Sequence, residues 1–153
     1  MTMTTAGRAG IEQFVRGTLG CGCPDEVFQS IAIRRLPVGA DGPAVVELLV
    51  GSRLLIHVVA PPSGDGAAGW LERLAMNGRA TRDRHGYNRF RLVVAAPRGV
   101  APPADLESRF ARTAVGDDRM HLHVVASDRL PAGLDLPSNG DQASPAGGRT
   151  VAK

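Results

Sequence analysis

Two cysteines stand one residue apart in Gly20-Cys21-Gly22-Cys23-Pro24, and the sequence holds no others. Thiols at that spacing can meet on one soft metal ion or close a reducible disulfide, and the flanking glycines allow the tight backbone either needs. Cys23 falls where the N–H groups of a following turn would stabilise a thiolate. Asp25 and Glu26 oppose this by adding negative charge. The same residues also fit a plain Gly-rich turn holding two small buried side chains.

His121 and His123 are the second pair with chemical spacing. On a strand, positions i and i+2 leave the same face, so two imidazoles could share one ion. With Cys21 and Cys23 they form a candidate ligand set for a soft divalent metal, although the spacings match no zinc-finger pattern. Core or edge histidines would show the same spacing. The reading that follows is a small module whose Cys-Gly-Cys turn does thiol redox or soft-metal work, with a partner protein. Cys21 or Cys23 would be the nucleophile or ligand, and the other the resolving thiol or second ligand.

A competing reading is a binding module for phosphate-bearing ligands. Gly64-Asp65-Gly66-Ala67-Ala68-Gly69 is a literal GxGxxG that follows a strand and opens a helix, where free N–H groups can receive a phosphate. Arg79, Arg82, Arg84, Arg89 and Arg91 follow, with His85, Tyr87 and Phe90 between them. Gly64, Gly66, Gly69, Arg82, Arg84, Arg89 and Arg91 are thus candidate anion ligands, for a nucleotide or for single-stranded nucleic acid stacked on Tyr87. A dinucleotide-binding dehydrogenase is disfavoured, because Pro61-Pro62-Ser63 lengthens the turn and the next strand ends in Ala96-Pro97-Arg98 without a ribose-binding acid. With 19 glycines in the chain, such a motif also arises by chance. A non-catalytic scaffold or interaction subunit is the third reading. No Ser/His/acid order and no spaced carboxylate pair points to hydrolysis.

The elements that must position these residues can be read from periodicity. Ile11, Phe14, Val15, Thr18 and Leu19 recur at helical spacing, and Pro24 opens a short helical turn through Phe28. A strand spans about 30–36. The runs 44–50 and 53–60 are separated by Gly51-Ser52, which predicts a two-residue type II′ hairpin. That register opposes Val50 to Arg53, Glu47 to Ile56 and Val46 to His57, so Glu47 and His57 are expected on opposite faces. Residues 67–77 form a helix stopped at Asn77-Gly78; 89–96 form a strand, 104–112 a helix and 120–126 the last strand. The order αβββαβαβ predicts an α/β fold: one mixed five-stranded sheet, an antiparallel meander followed by two crossover strands. Restriction-endonuclease-like folds share the order of its first six elements. Their acidic residue and Lys have no counterpart here, since Leu48 and Leu49 follow Glu47 and the core contains no Lys.

Composition sets the frame. Residues 10–130 read as a single domain, with a flexible tail at 1–9 and a disordered one at 131–153. Every cation except Lys153 is Arg, and the net charge of +3 is too small to imply nucleic acid by itself. No run of about 20 apolar residues and no apolar leader are present, so a cytoplasmic protein without membrane contact is expected.

Overall fold

The computed structural model describes residues 5–20, 22–36, 44–61, 69–97, 99, 104–131 and 134. Five strands, β1 (Ile31–Leu36), β2 (Val45–Val50), β3 (Leu54–Val59), β4 (Arg89–Ala96) and β5 (Met120–Ala126), lie side by side in sequence order. The first three are antiparallel neighbours, and β3–β4 and β4–β5 are parallel. This is the α/β architecture expected from the element order. Helices α2 (Trp70–His85) and α3 (Leu106–Thr113) make the two parallel crossovers and share one face of the sheet.

The opposite face is covered by α1 (Thr5–Gln13), a π-helical turn (Phe14–Thr18) and a 3-10 turn (Asp25–Gln29). Ile11, Phe14, Val15, Val27 and Phe28 pack there on Val46, Leu48, Ile56 and Val93. On the helix side, Trp70, Leu71, Ala75, Leu106 and Phe110 cover Leu55, Phe90, Leu92 and Val94. Leu55 and Ile56 are both buried although they point to opposite faces, as a sheet covered on two sides requires. Helix α1 begins at Thr5, inside the stretch assigned to a tail by composition.

Two local expectations are corrected. The hairpin forms at Gly51-Ser52, but φ is positive at both residues (64° and 55°), the pattern of a type I′ turn rather than II′. Arg53 then becomes an extra residue. Its carbonyl accepts from the N–H groups of Asn88 and Arg89 at 2.7 and 3.2 Å, which ties it to the start of β4. Pairing of β2 with β3 resumes at Val50↔Leu54, one residue later than a two-residue loop dictates. Glu47 therefore faces His57 directly, instead of lying on the other face. A one-residue slip inverts every such assignment.

Helix α2 runs on to His85 rather than stopping at Asn77-Gly78. Gly78 sits inside it because the Phe90 ring presses on the helix there: a Cβ at Gly78 would lie 2.0 Å from Phe90 Cζ. The helix ends where the N–H groups of Gly86 and Tyr87 turn back to the carbonyls of Asp83 and Arg82.

A cationic ladder on the outer parallel strands

Arg89 and Arg91 alternate with Phe90 and Leu92 along β4, so the apolar pair points into the α2 layer and the arginines to the other face. Along β5 the same alternation sends Met120 and Leu122 toward the helices, and His121 and His123 beside the arginines. The parallel register places Arg91 opposite His121, and the side chains then lean diagonally forward. Arg89 Nη1 lies 3.1 Å from His121 Nε2, and Arg91 Nη1 lies 2.8 Å from His123 Nε2. A guanidinium can only donate, so both imidazoles accept at Nε2 and carry their proton on Nδ1.

Among the described residues the charge of the ladder is unbalanced. Arg91 is 9% exposed, yet among the described residues its one further partner is the Leu19 carbonyl, to which Nη1 donates at 3.1 Å, and its Nε is buried without an acceptor among them. Arg89 reaches the Asp118 carbonyl at 3.4 Å. The sequence contains 15 acidic residues, but among the described residues none is ion-paired to either guanidinium. Burial, followed by repulsion from Arg89, lowers the Arg91 pKa. Burial and the Arg91 charge push His123 down to about 4, and His121 is lowered for the same reasons, with Arg89 adding to the effect. Both histidines are neutral donors at pH 7. The site is a row of cations and N–H groups, and the ligand it suits is an anion.

The ladder fits a metal poorly. The Nε2 lone pairs of His121 and His123 are engaged by cations, whose field repels another cation. Among the described residues no group of three His, Cys, Asp or Glu could hold a metal ion. The expected joining of these histidines with a soft metal is therefore not supported by their donor atoms. Cys23 is disulfide-bonded and packs on the same-face core as Phe14 and Leu19. Cys21 lies outside the described residues, as do Gly64 and Gly66.

The Arg strip is divided by the sheet. Arg82 and Arg84 belong to α2, on the far side from Arg89 and Arg91. Arg82 is buried and committed: Nη1 and Nη2 clasp the Asp117 carboxylate at 2.9 and 2.7 Å, and Nε and Nη2 hold Asp83. That clamp drives Asp117 down to about 2. Arg84 is exposed on the helix surface, and Tyr87 stacks on His85 at 5.2 Å. Gly69 precedes α2 in a left-handed conformation, its carbonyl accepting from Arg73 N–H.

The second polar cluster went unforeseen because of the register. Glu47 Oε2 and His57 Nε2 are 3.0 Å apart, and exposed Arg34 binds Glu47 Oε1 at 2.9 Å. The His57 hydrogen bond, with the His57 and Arg34 charges, outweighs burial and lowers the Glu47 pKa. His57 is 3% exposed and meets the Phe90 ring edge-on at 5.2 Å, so no ligand reaches it. This pair has its own counter-charge and is buried; the ladder has no counter-charge among the described residues, and although Arg91 is as buried as Glu47, Arg89, His121 and His123 are partly exposed. Sequence alternation alone marks all four ladder residues, but only the parallel β4–β5 register brings them together.

No family model matches the chain, and no curated protein or solved structure matches it. No helix among the described residues is long and apolar enough to cross a membrane.

Proposed function

We propose that the protein is a binding module for an anionic ligand, carrying phosphate or carboxylate groups, held by Arg89, Arg91, His121 and His123. The supporting observation is the Arg91 guanidinium, nearly buried and lacking a carboxylate partner among the described residues. A buried cation without a counter-charge costs several kcal/mol, and in an apolar setting a hydrophobic residue of similar volume does as well or better. An anion that accepts from Arg91 and Arg89 supplies the missing charge. Hydrogen bonds to charged groups contribute about 1.5–3 kcal/mol each, which is roughly 10- to 150-fold in affinity.

The test is titration calorimetry with pyrophosphate, a nucleoside triphosphate and citrate at low ionic strength. Arg91→Met should retain or raise stability while weakening binding at least ~10-fold, and Arg89→Gln should weaken it similarly. Arg84→Gln, on the other side of the sheet, should leave it unchanged. Affinity indifferent to Arg91→Met removes this reading.

A second reading rests on Cys23, which is disulfide-bonded. In this reading a partner thiolate attacks one sulfur of the Cys turn, forms a mixed disulfide and releases the other sulfur as thiolate. Thiol counting before and after dithiothreitol, with acid quenching and mass detection of the mixed disulfide formed when the wild-type protein is treated with reduced glutathione, tests it. Unreactive sulfurs under both conditions would exclude it.

A further inference from the structure

Strand β5 ends the sheet, and among the described residues no strand pairs with its outer side. Exposed edges are normally guarded by charges, Pro or bulges, because their free N–H and C=O groups recruit other strands. The opposite edge, β1, carries Arg34 and Arg35. The β5 sequence, Met-His-Leu-His-Val-Val-Ala, has no charged residue and no Pro, and its register with β4 is unbroken over seven residues. Val124, on the helix-side face of this edge, is 36% exposed. On the other face, Arg89 and Arg91 reach across to the histidines of β5, so the guanidiniums are directed toward the open edge.

We propose that the ligand is an extended acidic segment of a partner protein that adds as a sixth strand beside β5. The inference rests on the anion-binding reading and names the ligand class. An added strand lies about 4.8 Å from β5 and presents alternate side chains to each face. Carboxylates at alternate positions then face His121, His123 and the two guanidiniums, and apolar residues between them cover Leu122 and Val124. Charge decides against a second copy of this chain as occupant. Pairing β5 with itself would add another uncompensated set of arginines to the first.

The experiment is fluorescence polarisation with a labelled peptide, Glu-Val-Glu-Thr-Glu-Val-Glu, and the full-length protein. Two control peptides accompany it, one with Gln for every Glu and one N-methylated at alternate residues on one edge. Binding of the parent, at least ~10-fold weaker binding of both controls, and loss with Arg89→Gln are expected. Equal binding of the N-methylated peptide overturns strand addition. Failure of the parent to bind while pyrophosphate still binds overturns the acidic segment and leaves the anion site standing. Failure of both ligands overturns both. A dimer seen by sedimentation without peptide, and abolished by Val124→Arg, would assign the edge to a second copy and overturn the proposal.

Discussion

His123 should make the fold acid-sensitive well above the range of carboxylates. Its imidazole is half-buried and lies beside the Arg91 charge, with His121 adding to the effect, which brings it from 6.5 to about 4. A histidine with a depressed folded-state pKa favours the neutral form in the fold. The unfolded chain binds a proton as pH falls through 6.5, and the folded chain resists until about 4. Stability is therefore fully present above 6.5 and is lost between those values. Linkage at ~1.4 kcal/mol per unit gives about 2 kcal/mol between pH 7.5 and 5, and solvent around the partly exposed ring reduces this to ~1–2 kcal/mol. His121 contributes in the same direction, with Asp117 and Asp118 moderating its shift. Urea denaturation at pH 7.5, 6.5 and 5 measures the loss, and His123→Gln, which keeps an acceptor for Arg91 but does not titrate, should remove most of it. Saturating anion should flatten the profile as well, since it favours protonated histidines. An identical pH dependence in wild type and His123→Gln would refute the assignment of the neutral imidazole and its donor, Arg91.

Gly78→Ala gains about 1 kcal/mol of helix propensity but drives a methyl into the Phe90 ring, so net destabilisation of ~1–2 kcal/mol is expected by thermal denaturation. Phe90→Leu in that background should restore part of it, and an unchanged or raised Tm for Gly78→Ala alone contradicts the packing. Asp117→Asn leaves buried Arg82 with Asp83 alone and should cost ~3 kcal/mol, seen as faster amide exchange at the end of α2 and the start of β5. Because Asp117 and Glu72 titrate near 2 in the fold, a second acid transition should run from about 4.5 down to 2, weakened by Glu72→Gln. Glu47→Gln removes the carboxylate from His57 and Arg34, with an expected loss of ~1–3 kcal/mol in chemical denaturation and no change in anion affinity.

The sheet was legible because its signals are local. Runs of Val, Leu and Ile mark β2 to β5, and the helices between the last three strands force parallel crossovers. What escaped the sequence depended on distant partners. Arg53 is drawn out of the hairpin by two N–H groups at the start of β4, far away in sequence, and that one residue turns His57 onto the face of Glu47. A glycine that ends helices by propensity is instead retained inside α2 by an aromatic ring from β4. Arg82 looked equivalent to Arg89 and Arg91 in composition. Its role is set by Asp117, on the loop before β5, which no local pattern connects to it.

The two buried polar clusters differ in a way that favours the ladder, rather than the Glu47–His57 pair, as the seat of the proposed function. Both combine histidine with arginine, on adjacent strands β4 and β5 in the ladder and on β3 and β1, either side of Glu47 on β2, in the pair. In the first, the carboxylate accepts from imidazole and guanidinium, and each charge has its partner within 3.0 Å. Such a pair can be exchanged for apolar side chains at little cost, so its presence speaks to packing and specificity of the fold. In the ladder the acceptors among the described residues are neutral imidazoles and carbonyls, which satisfy hydrogen bonds but do not cancel the charge of Arg91. A Leu or Met at that position is expected to be at least as stable in a core of Val, Leu and Ile. On the proposed reading the anion is what compensates Arg91, since among the described residues no carboxylate meets its guanidinium.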